Sequence, residues 1–228
     1  MVLCKWEELP DYMKNDEVKI YYDILSKKKV SLFFKRVTDI VLSILMIAVL
    51  CIPMLIIAIV IKCDSEGKII FKQTRITTYG REFKILKFRT MVENAEDMGS
   101  LITEAKDSRV TKIGEKMRKY RIDEFPQVFN VLLGDMSFVG TRPEVPKYVN
   151  MYTPSMYATL LTPAGITSMA SIMSKDDSEL FSDPSMIDKN YMEIVLPEKM
   201  EMNLDYYRKF NVLYDFKVMF KTVTSVLS

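Results

Sequence analysis

The longest apolar run in the chain is Ile40–Ile61, and no charge falls between Asp39 and Lys62. As one straight helix its 22 residues would rise about 33 Å, enough for a bilayer core of about 30 Å. Pro53 lies inside the run. Proline lacks a backbone donor and clashes with the preceding turn, so it kinks or splits a helix. The pieces Ile40–Ile52 and Met54–Ile61 are each too short to cross. Lys27, Lys28, Lys29, Lys35 and Arg36 precede the run, and Lys62, Lys68, Lys72 and Arg75 follow it. A spanning helix carries its Lys/Arg bias on one side. The pattern predicts a segment, residues 31–62, that dips into one leaflet and returns, with Pro53 at the break. A signal anchor that tolerates its proline is the alternative.

The remaining pattern predicts an α+β chain. Residues 1–30 are polar and mixed in charge, and read as a surface extension with a helical stretch near Val18–Leu25. Lys68–Arg75 and Phe83–Arg89 read as two strands joined around Tyr79-Gly80. The outer side of the second strand is expected to line up Lys84, Lys87 and Arg89, as a solvated face or one that meets anionic groups. Ile113, Met117 and Tyr120 recur at helical spacing within Thr111–Tyr120. Asp123–Leu133 reads as a second helix, with Asp123 as N-cap, Pro126 in the first turn and Gly134 just past the end. Residues 141–200 are rich in proline and read as loops. Leu204–Leu227 reads as one or two amphipathic helices, covering the core or lying on a membrane. The expected organisation is an extension (1–30), a membrane segment (31–62) and a compact cytoplasmic domain of helices with a small β-hairpin (63–228).

Composition removes whole classes of chemistry. The 228 residues contain no histidine, which excludes Ser-His-Asp triads, histidine bases and histidine zinc sites. Cys4, Cys51 and Cys63 lack metal or redox spacing and read as reduced thiols. The net charge of +2 is too small to argue for nucleic acid, while the basic flanks of the apolar run suit an anionic membrane surface. The N-terminus does not read as a cleavable signal peptide, because the apolar run starts late and is long. Chemistry must rest on Asp, Glu, Lys, Arg, Tyr or hydroxyl groups, with a hard cation such as Mg2+ as an option.

The densest candidate is Asp123-Glu124, set between Arg118, Lys119 and Arg121 and a proline-opened helix. A helix N-terminus favours anions. An aspartate there, beside arginines, could act as nucleophile or metal ligand. On residue types alone the more common case is an ordinary helix cap at Asp123, with Glu124 and the arginines solvated.

An ordered series of motifs changes that balance. It comprises Lys35-Arg36-Val37-Thr38-Asp39-Ile40, Phe71-Lys72-Gln73-Thr74-Arg75, Phe83–Met91, Ile122-Asp123-Glu124-Phe125-Pro126-Gln127 and Asn130–Gly140. From about residue 31 onward, the chain resembles the bacterial sugar transferases known as monotopic phosphoglycosyl transferases. Departures include Gly140-Thr141-Arg142-Pro143 for Gly-Pro-Arg-Pro, and Pro163-Ala164-Gly165-Ile166-Thr167-Ser168 for a basic-Pro-Gly-Ile-Thr-Gly motif. The second loses a positive charge expected to bear on donor binding.

The resemblance implies transfer of sugar 1-phosphate from a UDP-sugar to polyprenyl (undecaprenyl) phosphate, with release of UMP. This would begin capsule, exopolysaccharide, O-antigen or glycoprotein glycan synthesis at the cytoplasmic face of the bacterial inner membrane. It implies that Asp123 is the nucleophile of a covalent phosphosugar intermediate and a ligand of Mg2+, and that Glu124 assists as base or orients the site. It further implies that Arg118 and Arg142 hold phosphate, that Pro53 breaks the re-entrant helix, and that lipid is a partner. A homo-oligomer is left open. The competing expectations are a membrane-anchored scaffold that kept the fold without turnover, and a simple tether.

Overall fold

The computed structural model describes residues 1–95, 107–173 and 187–227. In chain order the elements are α1 (Asp16–Ser26), α2 (Lys29–Asp64), β1 (Ile70–Ile76), β2 (Glu82–Phe88), α3 (Lys112–Lys119), α4 (Gln127–Leu133), β3 (Met136–Val139), α5 (Pro146–Val149), β4 (Ala164–Thr167), α6 (Met169–Met173), α7 (Ile187–Asn190), α8 (Leu196–Lys209) and α9 (Val212–Leu227). A 3-10 turn, Ile122–Glu124, precedes α4, and a π-helical turn, Tyr191–Val195, precedes α8.

Helix α2 is the element on which the rest is arranged. It runs through Pro53 as one helical stretch of 36 residues, rather than as two helices separated by a break. It is long and apolar enough to cross a membrane, and 6% of its most apolar window is buried against the protein. Its first part carries a stripe at helical spacing, Leu32, Lys35, Asp39 and Ser43, that is buried against the body. Lys35 Nζ donates to the Val139 carbonyl (2.7 Å) and pairs with Asp215 of α9 (2.7 Å). Asp39 accepts from the Ser137 hydroxyl (3.1 Å) and the Phe138 N–H (3.2 Å) of β3. Arg36 donates to the last carbonyls of α4, Val131 (2.6 Å) and Leu132 (2.8 Å), where a cation complements the helix terminus. The later part returns to the body: Met54, Ile57, Ala58 and Ile61 pack with Phe88, Ile113, Met117, Ile122 and Phe125.

The polar N-terminal stretch is docked rather than peripheral. Asn15 caps α1 by accepting from the Val18 N–H (2.9 Å), and Leu9, Met13, Val18 and Leu25 lie in the main core. Lys28 donates to the carbonyls of Tyr207, Arg208 and Phe210, closing the end of α8. Tyr79, at the hairpin tip with φ 57°, receives the Tyr12 hydroxyl on its carbonyl and offers its own hydroxyl oxygen to the Cys4 N–H.

Strands β1 and β2 pair antiparallel, with Phe71 opposite Lys87 and Thr74 opposite Lys84. Lys84 and Lys87 therefore do not share a face with Arg89 as a row of three. Side chains alternate with period two, and residues three apart point to opposite sides. Lys84 reaches Thr74, Lys87 reaches Glu124, and Arg89 is buried against Ser65.

The pair β3–β4 is parallel and was not expected. All four β3 residues are buried, so the strand shows no alternation to read. The stretch 141–200 accordingly contains a strand and several helices besides its loops. Gly165 permits the close approach of β4 to Gly140: a Cβ there would sit 2.2 Å from the Gly140 nitrogen.

The C-terminal pattern resolves into α8 and α9. Val218 and Asp215 are buried beneath α9, while Leu213, Phe216, Phe220 and Val223 remain exposed.

Candidate active site

The segment that carries the acidic pair is built from short-range turns. Arg121 adopts a left-handed conformation (φ 52°), which separates α3 from the acidic turn. The N–H groups of Glu124, Phe125, Val128 and Phe129 each bond three residues back, giving tight 3-10 geometry up to the start of α4. Asp123 is thus not the N-cap of a helix beginning at 123; it sits inside the 3-10 turn, and α4 begins at Gln127. Pro126 stands at the cap position instead. The helix ends as expected at Gly134 (φ 92°), whose N–H and that of Asp135 return to the Asn130 carbonyl. The irregular turn lets two neighbouring carboxylates enter one environment, and both are buried: Asp123 is 7% exposed and Glu124 8%.

Helix α4 is fixed to the hairpin by Asn130. Its amide oxygen accepts from the Leu86 N–H (3.0 Å) and its amide nitrogen donates to the Lys84 carbonyl (2.9 Å), so the side chain acts as an extra partner for β2. That pairing sets Lys87 against the acidic turn. Lys87 Nζ donates to Glu124 Oε1 at 3.1 Å, and Arg142 Nη2 donates to the same oxygen at 2.7 Å. Arg121 adds a longer ion pair at 3.9 Å. On the same face of the hairpin as Lys87, Arg75 donates to Gln73 Oε1 and to the Pro143 carbonyl (3.0 Å), bracing the loop that carries Arg142. Arg118, in the last turn of α3, donates from Nε to the Thr90 hydroxyl (2.9 Å).

The two carboxylates are electrostatically unequal. Burial pushes Glu124 up, but Arg142 and Lys87 outweigh it and hold it well below the usual carboxylate range. Burial raises Asp123, reinforced by the neighbouring Glu124 charge and only partly countered by Lys87, Arg118 and Arg142. Glu124 is therefore a fixed anion that collects cations. Asp123 makes no hydrogen bond or ion pair among the described residues, and its lone pairs are uncommitted. Environments that divide two carboxylates in this way assign them different work.

All four polar residues singled out in the sequence, Asp123, Glu124, Arg118 and Arg142, fall in one neighbourhood. Pro53 lies apart from them in α2, although the residues next to it, from Met54 onward, pack with Ile122 and Phe125 that flank the acidic pair. Sequence reading did not single out Lys87 as the partner of Glu124, nor Arg75 as a brace. Correct strand alternation would have put both on one face. Among the described residues, no three acidic, histidine or cysteine side chains converge as a metal cage. Mg2+ is commonly held by one or two carboxylates with substrate phosphates completing the shell. The uncommitted Asp123 oxygens fit that donor set.

The inequality predicts opposite effects of two isosteric changes. Asp123→Asn removes a desolvated charge whose raised pKa makes its ionised form a cost above that pKa, so thermal stability at pH 7 should be unchanged or higher. Glu124→Gln removes an anion whose lowered pKa contributes stability above the ordinary carboxylate range, a contribution lost only as pH falls through the folded value. It also leaves Lys87 buried without its partner, and should cost about 1–3 kcal/mol, given that Arg142 keeps part of its solvent contact. Thermal unfolding of both variants in lipid nanodiscs checks the pair. A loss of stability in Asp123→Asn as large as in Glu124→Gln would refute the division.

Comparison with known proteins places the chain among sugar-phosphate transferases. The chain is 34% identical over 200 residues to a UDP-N-acetylgalactosamine-undecaprenyl-phosphate N-acetylgalactosaminephosphotransferase of Aeromonas hydrophila, covering 86% of this chain and 44% of that protein. It is 32% identical over 197 residues to a UDP-glucose:undecaprenyl-phosphate glucose-1-phosphate transferase of Klebsiella pneumoniae, covering 85% of this chain and 40% of that protein. It is likewise 32% identical over 200 residues to a protein of the same description from Caulobacter vibrioides, covering 85% of this chain and 70% of that one. The chain thus spans less than half the length of the first two relatives. The bacterial sugar transferase family matches residues 30–228, which hold both carboxylates, Arg118, Arg142 and the whole of the apolar run, and the chain belongs to that family.

Proposed function

We propose that this protein transfers a sugar 1-phosphate from a UDP-sugar to undecaprenyl or another polyprenyl phosphate and releases UMP. The observation that carries the reading is the buried carboxylate pair in which Glu124 is tied to Arg142 and Lys87 while Asp123 is uncommitted. In this mechanism an Asp123 oxygen attacks the phosphorus that bears the sugar. The bond from that phosphorus to the bridging oxygen breaks, and its electron pair leaves with UMP. An oxygen of the lipid phosphate then attacks the same phosphorus and frees the Asp123 carboxylate. Two carboxylates facing a diphosphate repel it by roughly 4 kcal/mol per unit pair at 4 Å and an effective dielectric near 20. Arg142 offsets this: one N–H binds Glu124, and the rest of its fork is open to phosphate oxygens. Arg118 supplies a second cation, and Glu124 positions the cations rather than moving a proton. Mg2+ held by Asp123 and the diphosphate would neutralise charge at the transferring phosphoryl group.

Membrane placement follows from the same contacts. A helix that crosses a bilayer meets a domain on one side only near one of its ends. Here Lys35, Arg36 and Asp39 near one end, and Met54, Ile57 and Ile61 near the other, all contact the same body. We read α2 as re-entrant, with Pro53 near its apex, and place the body on the cytoplasmic face of the bacterial inner membrane. The exposed residues Val49, Ile52 and Leu55 of α2, with Phe216 and Phe220 of α9, would face lipid. The site then meets a cytosolic nucleotide sugar and a lipid acceptor at one boundary. The relatives' descriptions name both N-acetylgalactosamine and glucose, so the choice of sugar belongs to the assay.

Purified protein given undecaprenyl phosphate, Mg2+ and a panel of UDP-sugars should release UMP with at least one donor, and Asp123→Asn should release none. Release that survives Asp123→Asn contradicts the nucleophile, and no release with any donor favours a scaffold that kept the fold without turnover. For topology, cysteines placed singly at Lys29 and Glu66 in a background without Cys4, Cys51 and Cys63 should both be labelled from the cytoplasmic side alone. Labelling of one of them from the periplasm restores the spanning helix.

A further inference from the structure

Gln127 is the most deeply buried polar side chain near the acidic pair, with 0% exposure, and neither its amide oxygen nor its amide nitrogen has a hydrogen-bond partner among the described residues. A buried amide left in this state is costly, and native proteins seldom carry one without a use. It opens α4 one turn after Asp123 and Glu124. Helical side chains lean toward the helix N-terminus, and the turn that carries Asp123 and Glu124 lies on that side of Gln127. Asp123, four residues earlier, is also buried, at 7% exposed, and makes no hydrogen bond among the described residues. The 3-10 turn leads directly into α4, so the two side chains stand about one turn apart along the chain. Glu124 is already engaged by Arg142 and Lys87, which leaves Asp123 as the open acceptor.

We propose that Gln127 is a positioning residue for the nucleophile. When the donor sugar nucleotide occupies the site, the Asp123 carboxylate turns, one of its oxygens accepts from Gln127 Nε2–H, and the other is thereby aimed at phosphorus. Full burial of Gln127 keeps it from the substrate, so its effect passes through Asp123. The assignment rests on the covalent reading of Asp123 given above, and deepens it by naming what holds the attacking group.

The test is acceptor-free loading of full-length protein in nanodiscs. UDP-glucose and UDP-N-acetylgalactosamine are supplied with Mg2+, and the single burst of UMP is timed over a range of donor concentrations. Gln127→Met keeps the length and bulk of the side chain but has no amide donor. It should slow the burst about tenfold at saturating donor, the loss expected for one hydrogen bond to a charged group. The half-saturating donor concentration should stay unchanged and the melting temperature should not fall, because an unsatisfied polar group has been removed. Gln127→Leu should behave in the same way. A wild-type burst matched by Gln127→Met overturns the assignment alone. Slowing that accompanies a fall in melting temperature in both variants also overturns it, and makes the amide a structural, water-bridged group. Absence of any wild-type burst with a donor that supports UMP release once polyprenyl phosphate is added overturns the covalent reading and this assignment together.

Discussion

One buried anion, Glu124, organises the site. A lone carboxylate in this position could not remain charged, and a lone arginine or lysine there would face the same desolvation cost. Bound to Arg142 at 2.7 Å and Lys87 at 3.1 Å, Glu124 keeps both cations in place. The arrangement also relieves Asp123 of those cations. A carboxylate fully tied into ion pairs would have no lone pair to offer. By giving the pairing to one carboxylate and leaving its neighbour uncommitted, the 3-10 turn holds two electrostatic states that a single residue could not combine.

Everything around that turn serves to hold it at an apolar boundary. Arg36 closes the far end of α4, and Asn130 locks the same helix onto β2. Lys35 and Asp39 join α2 to β3 and α9 through buried polar contacts. These bonds have directional geometry, so they fix the rotation of an otherwise greasy helix about its own axis. Ile122 and Phe125 then bring the acidic turn into the apolar cluster formed with Met54, Ile57 and Ala58. The path from the apolar helix α2 to the acidic turn is therefore a few residues long.

Features with strong local causes were legible in the sequence. The apolar run, the hairpin around Tyr79-Gly80, the helix ahead of Tyr120 and the stop at Gly134 each follow from composition or backbone preference. Asp123 and Glu124 were marked by motif, but their geometry was not. The cap reading failed because Arg121 takes a left-handed turn and the chain then tightens to 3-10 spacing, a tertiary choice that no propensity encodes. Strands β3 and β4 were missed because burial on all sides removes alternation. The docking of residues 1–28 was missed because their few apolar positions, Leu9, Met13, Val18 and Leu25, are spread among charges. The altered Pro163–Ser168 stretch, expected to bear on donor binding, contains β4, and its Gly165 is needed there for backbone contact with Gly140.

The central claim is that the Asp123 carboxylate becomes covalently bound to the transferred phosphosugar. Peptide mass spectrometry after incubation with a UDP-sugar and no lipid acceptor measures this directly. The account predicts that the peptide containing Asp123 gains the mass of a sugar phosphate, and that added polyprenyl phosphate removes it. An unmodified peptide from protein that releases UMP only when both substrates are present would contradict it, as would an adduct on Glu124.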